Sequence, residues 1–432
     1  MENVEGNQKE LQAASNYRWV ICFLLLAAMA INYIHRQTLG LLKNDLQGVF
    51  HWDENGYANV VFWFQAAYAV GYVSFGRIID KIGAKAGYSI AFTMWVLAHS
   101  FTGFATNIVQ FTLARVALGL GESGSFPASL KAIAEWFPQK ERAAAAGVFN
   151  AGSNIGAIVA PLIVPLLTLS FGWQSAFYVT GVASFVWLIV WQLVYRHPSE
   201  HPKVNAAELA LIQSDPVDNA KPIPWIKLLG YRETWAYALA KFLIDPIWWF
   251  YLFWLPDFLS KTYQMDLKSS SVAWFAIGLP LVVIYLISDI GSVVGGFVSS
   301  NLIKRGMGVN WARKLTLLIF ALCVLPIFFV TQVGNMWGAV LIIGLATAAH
   351  QAFSANVYTL PSDTFPKAAV ASVIGIGGTL GAVGGMIFAK TVGAILQATG
   401  SYHILFIIAG SVYLLAVLVV HLLSPRLARV EV

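Results

Sequence analysis

The sequence predicts an all-α polytopic membrane protein with twelve transmembrane helices in two six-helix halves. Of the 432 residues, 58% are hydrophobic and only 11% are charged, whereas soluble domains carry about 25% charged residues. Apolar runs of roughly 20 residues, each long enough to cross a hydrocarbon core about 30 Å thick, recur along the whole chain. The spans are expected near 18–46, 56–78, 86–105, 108–134, 143–170, 173–195, 234–262, 271–303, 312–332, 335–362, 368–397 and 402–423.

The distribution of positive charge predicts the orientation of these spans. With the N-terminus in the cytoplasm, only Lys43, Lys261 and Lys268 of the 27 Lys and Arg residues fall on the outer side of the membrane. Arg36, Arg115, Lys241 and Lys390 fall within spans, and the others fall in cytoplasmic loops, span ends or termini. Cytoplasmic loops carry such an excess, so both termini are expected in the cytoplasm. The same bias accounts for the pI of about 9.1, and no nucleic-acid partner is expected.

The longest polar segment predicts the domain boundaries. Residues 196–233 divide the spans six and six, which gives an N-terminal bundle over 1–195, a cytoplasmic linker over 196–233 and a C-terminal bundle over 234–432. The linker contains one helix-prone piece, "NAAELALIQ". It is interpreted either as a solvated loop or as a segment with a docking helix along the membrane face.

An internal repeat supports the division. "WFPQKERAAAAGVFNAGSNIGA" from Trp136 and "TFPKAAVASVIGIGGTLGAVGG" from Thr364 align without gaps at an offset of 228 residues. Parallel repeats of six spans, with a binding site near the midplane between them, are one known transporter architecture. At the same offset, Glu122 is equivalent to His350.

Charged side chains inside spans are candidates for function, because each costs about 2.5–3.5 kcal/mol at the bilayer centre on insertion scales. Arg115 and Glu122 lie seven residues apart, two helical turns, and Gly119 lies between them on the same face, where it is expected to leave room for the guanidinium. The pattern indicates a carboxylate that takes up and releases a proton as its partner moves, or else a static buried ion pair. The roles of the remaining ionised residues stay open: Lys241, Asp245, Asp289 and Lys390.

The segment "INYIHRQTLG" carries a candidate anion site. Tyr33 precedes Arg36 by three residues and Asn32 precedes it by four, so the three share one helical face. A guanidinium binds a carboxylate with a planar pair of donors and stays protonated, and the phenol and amide suit polyol hydroxyls. The alternative is an Arg36 paired with a fixed carboxylate of the protein.

A second polar stripe lies in "AAHQAFSANVYTLPSD". It supplies further candidates for substrate binding: His350, Gln351, Ser354 and Asn356. The two cysteines, Cys22 and Cys323, both fall inside predicted spans, so neither a disulfide framework nor a metal cluster is expected. No cofactor is expected either.

"GRIIDKIGAK", which lies between the second and third spans, resembles the loop signature of the major facilitator superfamily. The matching residues are Gly76, Asp80, Lys81, Gly83 and Lys85. The resemblance implies the fold of that superfamily and a conformational loop in which Asp80 changes ion-pair partners. A tight turn with anchoring cations is the alternative.

Four further stretches resemble the anion:cation symporters of that superfamily, and within them bacterial hexuronate transporters. They are "INYIHRQTLG", "GLGESGSFPASLKAIAEWFPQKER", "FGWQSAFYVTGVASFVWL" and "WFYLFWLPDFLSKTY". The resemblance implies that Tyr33 and Arg36 bind substrate, that Tyr68 faces the cavity, and that Arg115 and Glu122 couple protons. Related galactonate symporters have Asp where His35 stands, so His35 is a candidate second proton site.

The function implied is a proton-coupled symporter that imports sugar-acid anions, such as galacturonate or glucuronate, across the bacterial inner membrane. Its expected partners are the anion, protons and the lipid bilayer, and a monomer is expected to suffice. An aldonate symporter of the galactonate type and an organic anion/phosphate exchanger are alternatives. No nucleotide-binding, metalloprotease or nucleophile motif indicates an enzyme, and the 38-residue linker is short for a transporter-derived sensor.

Overall fold

The computed structural model describes residues 14–215, 223–263 and 273–430, and its secondary structure over these residues is entirely helical. Lys268 and residues 216–222 of the predicted linker lie outside this part of the chain. Sixteen α-helices and two 3-10 helices (Pro198–Glu200 and Leu325–Gln332) follow one another. The α-helices are α1 (Tyr17–Leu41), α2 (Lys43–Phe50), α3 (Glu54–Thr102), α4 (Ile108–Ser123), α5 (Ser125–Trp136), α6 (Gln139–Phe171), α7 (Trp173–Val194), α8 (Ala206–Ile212), α9 (Trp225–Leu228), α10 (Arg232–Tyr263), α11 (Ala273–Lys304), α12 (Val309–Val324), α13 (Met336–Val357), α14 (Leu360–Thr364), α15 (Lys367–Thr399) and α16 (His403–Leu423).

Nine helical segments of the described chain are long and apolar enough to cross a membrane. The remaining three passes of the predicted twelve correspond to the two arms of α3 and to α4 with α5. The first span is shorter than expected, because α1 ends at Leu41 and a separate helix, α2, follows it. Helices α1–α7 form the first half of the molecule, and helices α10–α16 form the second half.

Gly83 divides α3 into its two arms. Its backbone has φ +83° and ψ 166°, whereas the rest of this 49-residue helix has helical angles. A positive φ is strained for residues that carry a Cβ, and glycine adopts it freely. The predicted loop between the second and third spans is therefore a single-residue break in a helix, and it lies inside the motif "GRIIDKIGAK".

The structure confirms the repeat. Helices α6 and α15 both have 33 residues, and their first residues, Gln139 and Lys367, are 228 residues apart. Helices α4 and α13 also begin 228 residues apart, and each is capped by an Asn side chain, Asn107 or Asn335, that accepts a backbone N–H. These caps extend the repeat to positions that the sequence alignment did not include.

The two halves contact each other at one end of the bundle, here called the closed end. Lys43 of α2 lies 2.7 Å from Glu54 and 2.5 Å from Asp257 of α10. Lys261 lies 2.8 Å from Glu54 and 3.1 Å from Asp257. Tyr57 donates a hydrogen bond of 2.8 Å to the carbonyl of Phe253. Two cations and two carboxylates thus join the halves in one cluster.

The linker segment is attached to the first half at the opposite end. Helix α8 forms within "NAAELALIQ", as expected, and Glu208 in it is fully buried. Its carboxylate accepts hydrogen bonds from the backbone N–H groups of Tyr17 and Arg18 at 2.9 and 3.0 Å, and from the Arg18 guanidinium at 3.1 Å. The docking alternative therefore describes α8 better than a solvated loop does.

Candidate functional site

A cavity of about 200 Å³ lies between the two halves. Eight of the predicted site residues line it. The first half contributes Asn32, Tyr33, Arg36, Tyr68 and Glu122, and the second half contributes His350, Gln351 and Ser354. Helices α6 and α15 also line the cavity, through residues that include Asn150 and Gly378. These residues lie in the parts of the two helices nearer the linker. The cavity thus extends from the middle of the bundle toward the end opposite the closed end.

Arg36 is surrounded by aromatic rings from both halves. Its Cζ atom lies 5.0 Å from the centroid of the Tyr33 ring, 5.2 Å from that of Tyr68 and 4.7 Å from that of Trp249 in α10. A guanidinium within about 6 Å of a ring centroid is attracted by the negative face of the ring. The rings hold the cation at the cavity wall, and the predicted shared face of Asn32, Tyr33 and Arg36 is confirmed.

Glu122 is the ion-pair partner of Arg36. The Nε and Nη2 atoms of Arg36 each lie 2.9 Å from Oε2 of Glu122, and the carboxylate is fully buried. The expectation that Glu122 pairs with Arg115 is wrong for this structure. Seven residues of α-helix rise about 10.5 Å, so two side chains on one helix at that separation lie too far apart for a direct contact.

Arg115 is fully buried, and none of its three side-chain nitrogens has a hydrogen-bond partner in the described part of the chain. Its Cζ atom lies 5.2 Å from the Phe64 ring centroid. Gly119 was expected to leave room for a guanidinium. Instead, a Cβ at that position would lie 2.3 Å from the Phe64 carbonyl oxygen, so the space is taken by the backbone of α3.

His35 points away from the cavity. Its ring stacks on His99 with centroids 3.7 Å apart and an interplanar angle of 7°. Its Nε2 atom contacts the Thr180 carbonyl at 3.3 Å and the Ser184 hydroxyl at 3.1 Å in α7. The two imidazoles form a buried pair inside the first half, beside α7, and the proton-coupling role of His35 stays a prediction.

The wall from the second half contains another ion pair. Lys241 Nζ lies 2.7 Å from Asp245 Oδ1, a contact that two residues four apart on one helix can make. The same nitrogen donates a hydrogen bond of 2.9 Å to the Tyr358 hydroxyl. On the same wall, His350 stacks on Trp248 with centroids 5.3 Å apart and contacts the Tyr413 hydroxyl at 2.6 Å.

Asn356 was predicted to bind substrate, but the structure does not place it among the residues that line the cavity. Its side-chain amide donates hydrogen bonds of 2.9 Å to the carbonyls of Gly295 and Ala352. The residue therefore fastens α13 to α11. On the helix, Asn356 lies two residues from Ser354, and such a step turns the side chain to a different face.

The loop motif lies away from the cavity. Asp80 pairs with Lys131 of α5 at 3.6 Å, and both belong to the first half. Gly76 and Lys81 flank this contact along α3, and a Cβ at Gly76 would meet no atom within 4 Å. The predicted partner change of Asp80 stays a prediction, because the structure holds one arrangement of this loop.

Trp248 and Trp249 are site residues that sequence reasoning did not single out. They lie in the aromatic stretch "DPIWWFYLFWLPDF", where composition did not separate cavity tryptophans from those at the membrane interface. Their spacing of seven and eight residues from Lys241 places them on the same helical face as that charged residue, and this spacing could have identified them as cavity residues. Within the described residues, no group of His, Cys, Asp and Glu side chains is arranged to hold a metal ion.

Comparisons with known proteins agree with this architecture. The model of the Major Facilitator Superfamily matches residues 25–389. A hexuronate transporter of Escherichia coli is 31% identical over 422 residues, which cover 96% of each chain. A galacturonate transporter of Dickeya chrysanthemi is 33% identical over 71% of this chain and 88% of its own length. A probable galactarate/D-glucarate transporter of Bacillus subtilis is 30% identical over 96% of this chain and 94% of its own length.

Two solved structures share the fold at low sequence identity. A bacterial homologue of the human lysosomal transporter Spinster, in an inward-facing and occupied conformation, has a TM-score of 0.70 and 16% identity over 95% of this chain and 96% of its own. A D-xylose-proton symporter has a TM-score of 0.70 and 14% identity over 93% and 97%. The chain belongs to the Major Facilitator Superfamily, and it is a multi-pass membrane transporter rather than an enzyme.

Proposed function

We propose that this transporter is a proton-coupled symporter that imports sugar-acid anions, hexuronates such as galacturonate and glucuronate, across the bacterial inner membrane. The names of the relatives support the sugar-acid class, because they include hexuronate, galacturonate and galactarate/D-glucarate transporters. The observation that carries the proposal is the ion pair between Arg36 and Glu122 in the wall of the central cavity.

The ion pair supports an exchange of anions at Arg36. A substrate carboxylate that reaches the guanidinium replaces Glu122 as its partner. Glu122 would then be an uncompensated charge in a buried site, which costs several kcal/mol, so it takes up a proton. Through Glu122, a proton therefore enters together with the substrate, and it leaves when Glu122 returns to Arg36 after substrate release.

Coupling of this kind is a linkage between two binding events. Protonation of Glu122 raises the affinity of Arg36 for the substrate, and the bound substrate raises the affinity of Glu122 for the proton by the same factor. Coupling free energies of this kind are typically about 1–3 kcal/mol. Arg115, which lies two helical turns from Glu122 in α4, is the second member proposed for proton coupling, and its positive charge favours the ionised form of that carboxylate. His35 is the candidate for an additional proton.

The direction of opening follows from the predicted orientation. If the linker is cytoplasmic, the closed end faces outward and the cavity opens toward the cytoplasm. Alternating access then consists of a rocking motion of bundle 1–195 against bundle 234–432, with the linker over 196–233. The loop residues Gly76, Asp80, Lys81 and Gly83 adjust within the first bundle during this motion. We infer that a monomer suffices, because both halves of the cavity belong to one chain.

The test is uptake into liposomes from a panel of hexuronates, aldonates and sugar dicarboxylates, with and without an inward proton gradient. We expect accumulation of hexuronates that depends on the gradient. Arg36→Ala is expected to abolish uptake, because it removes the anion-binding group. Glu122→Gln is expected to permit counterflow of substrate but to abolish accumulation driven by the gradient.

The matched control is Glu200→Gln, which removes an exposed carboxylate in the linker and is expected to leave both assays unchanged. Normal gradient-driven accumulation by Glu122→Gln would remove Glu122 from the coupling mechanism. Counterflow that requires phosphate and ignores pH would instead favour an organic anion/phosphate exchanger.

A further inference from the structure

The ion pair between Lys241 and Asp245 has no part in the proposed mechanism, although it lines the same cavity as Arg36. Only 3% of the Lys241 side chain and 19% of the Asp245 side chain are exposed. Charged side chains inside a membrane span normally pair with each other or face a cavity. Lys241 and Asp245 do both, because they form an ion pair and line the cavity.

The pair lies at a distance from Arg36 along the cavity wall. Arg36 packs on Trp249, and Lys241 precedes Trp249 by eight residues on α10, which corresponds to about 12 Å along the helix axis. Helix α13 runs beside this part of α10, and its contacts indicate the same separation along the cavity wall. Its residue His350 stacks on Trp248, and Tyr358, at its C-terminal end, binds Lys241. A six-carbon sugar acid bound by its carboxylate at Arg36 would direct its other end toward Lys241.

Lys241 and Asp245 keep hydrogen-bonding capacity for a ligand. An ammonium group has three N–H donors, and Asp245 and Tyr358 use two of those of Lys241. The second oxygen of Asp245, Oδ2, packs against Gly381 of α15, where a Cβ would come within 2.2 Å of it, and Asp245 itself lines the cavity. One free donor and a carboxylate acceptor side by side match the hydroxyl groups of a sugar.

The net charge of this cluster decides which ligand end it accepts. Lys241 and Asp245 neutralise each other, so a second carboxylate would meet Asp245 without a free cation to balance it. Two like charges brought together in a binding site lower the affinity strongly, and such repulsion is a common source of specificity. A neutral polyol end meets no such penalty.

We propose that Lys241, Asp245 and Tyr358 form a specificity site that binds the uncharged, hydroxyl-bearing end of the substrate and excludes a second carboxylate. The inference rests on the proposed function, and it narrows the substrate class to sugar acids with one carboxylate. It assigns to Asp245 the rejection of dicarboxylic sugar acids, which are named for a relative that is 30% identical to this chain.

The test is competition for glucuronate counterflow by galactarate and D-glucarate in proteoliposomes. The wild-type protein is expected to be inhibited poorly by both dicarboxylates. Asp245→Asn leaves the charge of Lys241 without a neutralising partner, so it is expected to strengthen inhibition by the dicarboxylates about tenfold or more and to weaken glucuronate binding.

Two control variants make the result specific. The double variant Lys241→Gln with Asp245→Asn removes both charges, so it is expected to show no gain for the dicarboxylates. Asp289→Asn replaces a carboxylate of α11 that does not line the cavity, and it is expected to leave the ratio of the two inhibition constants unchanged. Size-exclusion profiles identify variants that do not fold, and the double variant then provides the comparison with the wild type.

Several outcomes would overturn the inference. Dicarboxylates that compete as well as glucuronate in the wild type would contradict the exclusion, and a gain shared by the double variant would show that the charge of Lys241 is not its cause. An Asp245→Asn variant that folds without any gain would contradict it as well. Absence of hexuronate counterflow in the wild type would instead refute the proposed function itself.

Discussion

Lys43 Nζ lies 2.5 Å from Asp257 Oδ2, and this contact joins the two halves at the closed end. Only 1% of the Lys43 side chain and none of the Asp257 side chain is exposed, and Asp257 also accepts a hydrogen bond from Tyr402. Because the partners lie in different halves, the pair exists only while the halves meet at this end. The pair therefore stabilises one conformation of the transporter relative to the other.

Asp257→Asn is expected to shift the protein toward the conformation that is open at the closed end. Removal of one member of a buried ion pair costs about 3–5 kcal/mol, and here the cost falls on one conformation only. Labelling of Ser354→Cys from outside, in a background without Cys22 and Cys323, measures this opening with a membrane-impermeant thiol reagent. The rate is expected to rise by more than about tenfold.

The control for this experiment is Asp215→Asn, which breaks an ion pair with Arg142 at the linker end of the first half. It is expected to leave the labelling rate unchanged. A folded Asp257→Asn variant with an unchanged rate would mean that the cluster at the closed end does not determine the conformational equilibrium.

Arg36→Lys tests whether the shape of the guanidinium matters or only its charge. An ammonium keeps the charge but lacks the planar arrangement of donors that binds a carboxylate. Loss of one charged hydrogen bond costs about 1.5–3 kcal/mol, so the KM for glucuronate in counterflow should rise about tenfold to a hundredfold. Arg77→Lys, at an exposed position of α3, is the matched control. An unchanged KM would show that a point charge suffices.

Arg115→Met is expected to separate stability from coupling. The guanidinium is fully buried and has no hydrogen-bond partner among the described residues, so an apolar side chain of similar length removes a desolvation cost. The melting temperature in detergent should stay the same or rise, while accumulation driven by a proton gradient should fall to background. A lower melting temperature together with normal accumulation would contradict both the burial cost and the role in coupling.

The contact of Glu208 with the start of α1 is expected to depend on pH. Burial raises the pKa of this carboxyl, but hydrogen bonds from the Arg18 and Tyr17 backbones, the Ser15 hydroxyl and the Arg18 guanidinium outweigh burial and hold the pKa below its ordinary value of 4.5. A depressed pKa stabilises the folded protein above the unfolded value, and this stabilisation is lost as the pH falls through the folded pKa.

Glu208→Gln should therefore destabilise the protein at pH 7 by about 1–3 kcal/mol, because it leaves buried donors with weaker acceptors. The difference in melting temperature between wild type and variant should stay constant from pH 7 down to about 5 and should shrink as the pH falls below 4.5 and through the folded pKa. Glu200→Gln, in the exposed part of the linker, should show no difference at any pH. A difference that stays constant as the pH falls below 4.5 would mean that the charge of Glu208 does not stabilise the contact.

Most of the fold could be predicted from the sequence, because apolar run length and the distribution of cations reflect the bilayer itself. The structure differs from the predicted spans where the local backbone conformation departs from a regular α-helix. Gly83 allows the two arms of α3 to join with a single non-helical residue, and the predicted span over 312–332 ends in a 3-10 helix from Leu325. Neither feature changes the hydrophobic pattern, so neither was visible in it.

In the candidate site, only the relationships between residues of the same helix could be predicted from the sequence. The shared face of Asn32, Tyr33 and Arg36 follows from helical spacing, and so does the pair of Lys241 and Asp245. The partner of Glu122 depends instead on how α1 packs against α4, over a separation of 86 residues. The position of Trp249 on Arg36 requires in addition that the two halves meet, and no local pattern in the sequence contains that information.

Trp249 gives the protein an intrinsic optical reporter. Its indole ring belongs to the second half, yet it lies 4.7 Å from the guanidinium of Arg36 in the first. An anion that arrives at Arg36 changes the electric field across this ring, and separation of the halves removes the cation from it. The emission of a single one of the 16 tryptophans, isolated as the difference from Trp249→Phe, should therefore report ligand occupancy and domain motion without an attached dye.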